Sequence, residues 1–205
     1  MSPRAYRSSR RAETAERTRA RLIEAADAML AARDGISLHT VAKRAGVTRL
    51  TVYNQFGSRR ALLEATFDHM AERGGLHRIR EAMTNPDPHS ALRQTVAIFC
   101  DFWSFRRDAL WHLHAASATD PELEESLRAR NERRRSLLSV LVDRITERDR
   151  RRPEVMTELV DVLFALTGIA FYWELTARGY QANSARRIIQ TLAEDALQRT
   201  LSKAE

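Results

Sequence analysis

Residues 37–63, SLHTVAKRAGVTRLTVYNQFGSRRALL, leave this chain little choice of local structure. Val41, Ala45, Val47, Val52 and Phe56 are the apolar positions, spaced for two short helices sharing one core, with a third helix after them. Ala42 is small where the two helices would cross. Gly46 falls between them, where a left-handed turn costs glycine little. Thr48 then stands where its hydroxyl caps the second helix. The non-core positions of that helix, roughly 49–55, carry Arg49, Thr51, Tyr53, Asn54 and Gln55. Such side chains donate to phosphates and base edges. The pattern predicts a helix-turn-helix whose second helix enters a major groove.

Charge placement points the same way. The formal net charge is +7, but residues 1–60 hold 13 Lys+Arg against 5 Asp+Glu (+8), and residues 61–205 hold 21 against 22 (−1). A localised basic patch is the footprint of phosphate binding. A basic tail would account for Arg4, Arg7, Arg10 and Arg11, but not for Lys43, Arg44, Arg49, Arg59 and Arg60.

The run Thr51-Val52-Tyr53-Asn54-Gln55-Phe56-Gly57-Ser58-Arg59-Arg60-Ala61-Leu62-Leu63 resembles the signature of the TetR/AcrR family of bacterial transcription regulators. There a T-x-Y-x-x-F segment ends the recognition helix and F-x-S-K-x-x-L opens the next one. Arg59 stands in place of the usual lysine, keeping the charge but replacing a flexible point charge with a planar fork. With the helix before it, the resemblance covers about a quarter of the chain; the rest is similar in length and all-helical pattern. It implies an all-α fold, with an N-terminal three-helix DNA-binding domain and a C-terminal helical-bundle regulatory and dimerisation domain.

Taken singly, Tyr53 reads as well as a packing residue, and each arginine as solvated surface. Together they make Thr48, Arg49, Thr51, Tyr53, Asn54 and Gln55 candidates for base and phosphate contacts. Ser37, Lys43, Arg44, Arg59 and Arg60 are candidate backbone anchors, and Arg4, Arg7, Arg10 and Arg11 a candidate minor-groove arm.

Three segments are expected: a basic flexible arm over 1–12, a helix-turn-helix domain over 13–60, and a connecting helix with a ligand-binding and dimerisation domain over 61–205. Leu22, Ala26, Met29 and Leu30 form a first helical stripe ending at Arg33-Asp34-Gly35, with Gly35 as a left-handed cap. Ser58 caps a helix carrying Leu62, Leu63, Thr66, Phe67 and Met70, which stops near Gly74-Gly75. Asn85-Pro86-Asp87-Pro88 breaks the chain. About five helices follow, over 90–105, 108–118, 120 to about 148, 153–177 and 184–201. No segment alternates with period two, so no sheet is expected.

The helix over 153–177 is apolar around most of its girth, which suits one face to its own core and another to a partner. Val155, Leu159, Val162, Leu166, Ile169 and Trp173 step along one stripe, and Ile188 and Leu192 mark one side of the last helix. These are the candidate homodimer interface, with Gly168 allowing close backbone approach. A symmetric dimer would present two recognition helices to a palindrome. In the resembled family, these two helices form a four-helix dimer interface.

Phe99, Phe102, Trp103, Trp111, Phe164 and Phe171 are candidates to line a pocket for a small, largely apolar effector. Asp101, Asn131 and Glu174 are polar groups that could orient it. The arginine run at 130–135 reads as a solvated face. The lone Cys100 excludes an intrachain disulfide and suits an inert buried thiol. His112 and His114 lack the i,i+4 spacing of a helical metal pair. No P-loop, GxGxxG, G-x-S-x-G or paired-cysteine spacing occurs, so no enzyme, cofactor or metal is expected. No membrane-length apolar run or signal-peptide stretch is seen, so the chain is expected in the cytoplasm. The expected partners are double-stranded operator DNA, a second copy and a small-molecule effector. The competing reading is a sequence-neutral architectural DNA binder without an effector.

Overall fold

The computed structural model describes the backbone of residues 3–32, 34–146 and 153–202, with the side chains from residue 12 onward. Every regular element among them is helical. The chain divides into two compact units, Met1–Met70 and Ala71–Glu205.

The first unit holds α1 (Pro3–Ala31), α2 (Leu38–Ala45), α3 (Arg49–Phe56) and most of α4 (Arg59–Arg73). Leu22, Ala26, Met29 and Leu30 are buried as α1 packs on α2 and α3. Val41, Ala42, Val52 and Phe56 join this core, while Ala45 and Val47 are half-buried at its edge. Ser37 caps α2, its Oγ accepting the Thr40 N–H (3.1 Å) as Thr40 Oγ1 accepts the Ser37 N–H (2.9 Å). Gly46 closes α2 at φ 66°. Ser58 Oγ accepts the Ala61 N–H at the start of α4, which buries Leu62, Leu63, Thr66, Phe67 and Met70. Those residues carry the unit to Met70, past the boundary expected at residue 60.

Two expectations change here. Residues 3–12, expected within a flexible arm over 1–12, belong to α1, and Pro3 suits a first turn. Gly35 is not left-handed. The end of α1 is closed instead by the Asp34 N–H donating to the Met29 carbonyl (2.9 Å).

The second unit opens with a 3-10 turn (Leu76–Arg78) and α5 (Ile79–Thr84), neither legible in the sequence. There follow α6 (Pro88–Phe105), α7 (Arg107–Ala116), α8 (Pro121–Ile145), α9 (Pro153–Leu166), α10 (Ile169–Ala177) and α11 (Ala182–Ser202). Asp87 and Asp120 cap α6 and α8, each followed by proline at the first helical position. Helix α6 packs on α8 and α11, and α9 closes the ring by packing on the same two. Leu92, Val96, Leu138, Leu141, Leu159, Leu163, Ile189 and Leu197 fill the centre, with Tyr172 of α10. Each such leucine contributes about 1.5–3 kcal/mol through burial.

The helix expected over 153–177 is two helices, α9 and α10, bent by 45°. At the break, Thr167 Oγ1 donates to the Leu163 carbonyl (2.8 Å), and the Thr167 carbonyl accepts from Trp103 Nε1 (3.0 Å). Gly168 is extended (φ −81°, ψ 155°) and starts α10. A Cβ there would meet the Ala165 carbonyl at 3.2 Å. Within the chain, glycine there makes room at the bend and for Arg134 of α8, whose Nη1 would lie 3.4 Å from that Cβ. Among the described residues, no single helix is long and apolar enough to cross a membrane.

Candidate nucleic-acid interface

Helix α3 is anchored from one side only. Val52 and Phe56 are buried, while Arg49, Leu50, Tyr53 and Asn54 are exposed, and Thr51 and Gln55 are half-buried. Thr48 Oγ1 accepts the Thr51 N–H (3.1 Å) and lies 2.9 Å from Thr51 Oγ1, so both hydroxyls take part in the cap. Tyr53 is 56 % exposed and Leu50 65 %. Leu50 was missed in the sequence because leucine reads as core. The signal was its spacing: two residues before the buried Val52 is nearly the opposite side of a helix.

The arginines divide into two sets. Arg21 of α1 donates to the carbonyl of Ala45, the last residue of α2 (2.6 Å). Arg19 donates to the Gln55 carbonyl near the end of α3 (3.1 Å) and lies 4.4 Å over the Phe56 ring. Cations at helix C-termini satisfy free carbonyls and oppose the negative end of the dipole. Arg59, expected as an anchor, is half-buried with Nε donating to the Ile36 carbonyl (2.7 Å). Part of the basic excess thus holds the motif together. Lys43, Arg44, Arg49 and Arg60 are exposed, Arg44 lying 3.8 Å from Asp34. Ser37 is half-buried in its cap. The side chains of Arg4, Arg7, Arg10 and Arg11 lie outside the described residues.

This arrangement, a capped helix pair with a glycine turn and one polar face outward, agrees with the comparisons. Residues 22–66 match the model for bacterial regulatory proteins of the tetR family. A TetR-like transcriptional regulator from Rhodococcus sp. RHA1 is similar over 88 % of this chain and 96 % of its own, with a TM-score of 0.65 and 18 % identity. A TetR/AcrR-family regulator from Thermobifida fusca is similar over 87 % and 96 % (TM-score 0.57, 19 % identity). The TetR-like regulator LfrR from Mycobacterium smegmatis, solved in complex with proflavine, is similar over 88 % and 96 % (TM-score 0.52, 25 % identity). No curated protein sequence matches the chain. The chain thus carries a DNA-binding segment of the tetR-family type over residues 22–66, on a fold like that of TetR-family regulators. The family model covers the helix-turn-helix and its flanks; for the second unit, the likeness is one of fold.

In the second unit the expected effector residues do not form one set. Phe99 and Trp103 stack at 6.4 Å, and Phe102 lies 4.9 Å from Trp103. Phe164 is half-buried, with the Arg134 guanidinium 4.1 Å above its ring. Trp111 instead stacks flat on Trp173 (4.8 Å, 5°), with Arg107 4.9 Å over Trp173. Phe171 packs against the central core. Of the polar groups, Asp101 is taken by Arg78 and Arg186, each at 2.9 Å, Glu174 is exposed, and Asn131 accepts from Arg134 (3.3 Å). The arginine run is not wholly solvated, since Arg134 is buried. Cys100 is buried, and burial pushes its thiol up to about 12.

The expected interface stripe also divides. Leu159 is 2 % exposed within the subunit's own core, because position 159 faces the centre of the helical ring. Trp173 is occupied by Trp111 and Arg107 from its own chain, and Leu166 packs against the same core. Val162 and Leu192 remain exposed, on α9 and α11, and Val155, Ile169 and Ile188 are half-buried. An open groove of about 680 Å³ follows the outer side of α9, past Thr157, Asp161, Val162 and Ala165.

Proposed function

We propose that this chain is a TetR-family regulator, a ligand-responsive repressor that binds a palindromic operator as a homodimer. Each subunit inserts α3 into one major groove, with Arg49, Tyr53, Asn54 and Gln55 reading bases and phosphates, and Lys43, Arg44 and Arg60 holding the backbone. The observation that carries this reading is the one-sided anchoring of α3: Val52 and Phe56 fix it, while Arg49, Tyr53 and Asn54 are left to the outside. Val162 and Leu192, exposed on adjacent helices, support a dimer through α9 and α11. Repression follows from occlusion of polymerase in the cytoplasm. A small molecule bound in the second unit changes the separation of the two α3 helices through α4, and the dimer leaves its operator. The solved complex of LfrR with proflavine supports a small-molecule effector for a chain of this fold.

The deciding experiment is a footprint over the promoter region of the protein's own gene. One or a few palindromic sites, lost in the Arg49→Ala, Tyr53→Ala double variant, are expected. Even protection of all duplexes would favour a sequence-neutral architectural binder. Unchanged binding by the double variant would remove α3 from the interface.

A further inference from the structure

We propose that the effector is an organic carboxylate with an apolar, ring-bearing or chain-like body, and that Arg134 of α8 holds its acid group. The proposal rests on the effector-binding role of the second unit and names the chemistry that unit accepts.

Arg134 is the anomaly of the bundle. It is 8 % exposed, yet among the described residues no carboxylate lies within ion-pair distance of it. Its hydrogen bonds go to neutral acceptors, each at 3.3 Å: Nη1 donates to Thr167 Oγ1 and Nη2 to Asn131 Oδ1. Its Nε is buried without an acceptor. The next residue is a second cation, Arg135, whose own charge is met by Asp161. Burial, and then Arg135, lower the Arg134 pKa to about 10, so the group still carries its charge at neutral pH.

Proteins pair their buried charges, because an unpaired ion loses its hydration with nothing in return. Here, besides those two neutral acceptors, the chain offers aromatic faces: Phe164 at 4.1 Å and Phe99 at 5.8 Å from the guanidinium carbon. Such faces stabilise a cation partly but give its Nε–H no acceptor. A planar fork with a free donor, walled by rings, is suited to a carboxylate on an apolar body. Phe164, Asn131 and Trp103 around it are half-buried, and Arg135 also lies 4.4 Å from the Phe164 ring.

The bland alternative is that Arg134 only pins the α9–α10 break through Thr167. Trp103 already holds that residue through its carbonyl, and pinning needs a donor rather than an unpaired charge. The hydrogen bond to Thr167 also gives binding a consequence. A carboxylate that engages the fork competes with Thr167, so the acid acts directly on the bend between α9 and α10.

The test uses the full-length protein and four probes: 2-naphthoate, decanoate and the uncharged methyl ester of each. Tryptophan fluorescence and the melting midpoint report binding. At least one acid is expected to bind ten-fold or more tightly than its ester, and to release operator DNA. Arg134→Gln should erase that preference, and Arg134→Lys should restore part of it. A merely structural arginine would leave the acid-to-ester ratio unchanged in both variants. If Arg134→Gln does not fold, the wild-type ratio and the Arg134→Lys ratio still decide. Esters binding as well as acids, with release of DNA, would overturn the acid site but leave the effector reading intact. Binding by none of the four would overturn the proposal as stated.

Discussion

Two arginines at the ends of the motif make a paired test, because the chain uses them differently. Arg49 is exposed and has no hydrogen bond or ion pair within the chain among the described residues. Replacing it with alanine should shift folding stability by no more than about 0.5 kcal/mol, as for most surface changes. If its guanidinium neutralises a phosphate, the same change should flatten the log–log dependence of operator affinity on salt by about 0.9 per subunit, so about 1.8 for a dimer. If Arg49 reads a base instead, the slope should hold while affinity falls by about 1–3 kcal/mol per subunit. Arg59 donates to the Ile36 carbonyl at 2.7 Å. A hydrogen bond from a charged donor contributes about 1.5–3 kcal/mol, and partial exposure of Arg59 reduces this to about 1 kcal/mol through solvent screening. Arg59→Ala should therefore lower the melting midpoint by roughly 2–4 °C. Fluorescence anisotropy with an operator duplex between 50 and 200 mM salt, roughly the range over which phosphate neutralisation is felt, should be paired with thermal unfolding of the same preparations. If Arg59→Ala melts like wild type and flattens the slope by about 1.8, its guanidinium serves phosphate rather than Ile36, and the inferred difference between the two arginines is refuted.

Three further outcomes are expected. Gly46→Ala should cost about 1–2 kcal/mol in urea unfolding, all of it backbone strain, since φ is 66° and nothing lies within 4 Å of an added Cβ; Gly46→Asn should cost less. Leu159→Ala should destabilise by about 2–5 kcal/mol as a core cavity without changing sedimentation, whereas Val162→Asp should give a folded monomer; a wild-type monomer at micromolar concentration would remove the dimer. Cys100 should resist iodoacetamide near pH 8, roughly where an ordinary thiol reacts, until the protein is unfolded. Its folded pKa of about 12 lies above the ordinary 9.0, so this thiol's stabilising contribution is whole below pH 9.0 and is lost as pH rises from there towards 12, where rapid labelling of the native protein below that window would contradict the burial.

The helix-turn-helix was legible because each signal in it is local. Gly46 needs its φ, Thr48 its cap, and Val52 and Phe56 their shared side, and all four are as expected. The breaker at 85–88 and the Asp-Pro start of α8 were legible for the same reason. What stayed hidden depends on distant partners. The apolar stripe over 153–177 continues through Thr167 and Gly168, so periodicity alone read one helix; the bend is held by Trp103 and Arg134, far away in sequence. Charge counting located a basic segment but could not show that Arg19, Arg21 and Arg59 donate to carbonyls within it. An exposed leucine and a buried arginine, Leu50 and Arg134, each contradict the habit of their residue type, and the fold sets both.

The way α3 is fastened has an evolutionary consequence. Its attachments are Val52, Phe56, the Thr48 cap and a main-chain carbonyl at Gln55 gripped by Arg19. Arg49, Leu50, Tyr53 and Asn54 carry none of the folding duty, and a carbonyl is the same whatever side chain stands beside it. New words can therefore be written on the outer side of this helix without disturbing the page. A duplicated copy of the gene could drift to a different operator through changes at those four positions, each close to neutral for folding. The same freedom makes α3 a place to retarget the protein by exchanging short sequence blocks, while the second unit keeps its own chemistry.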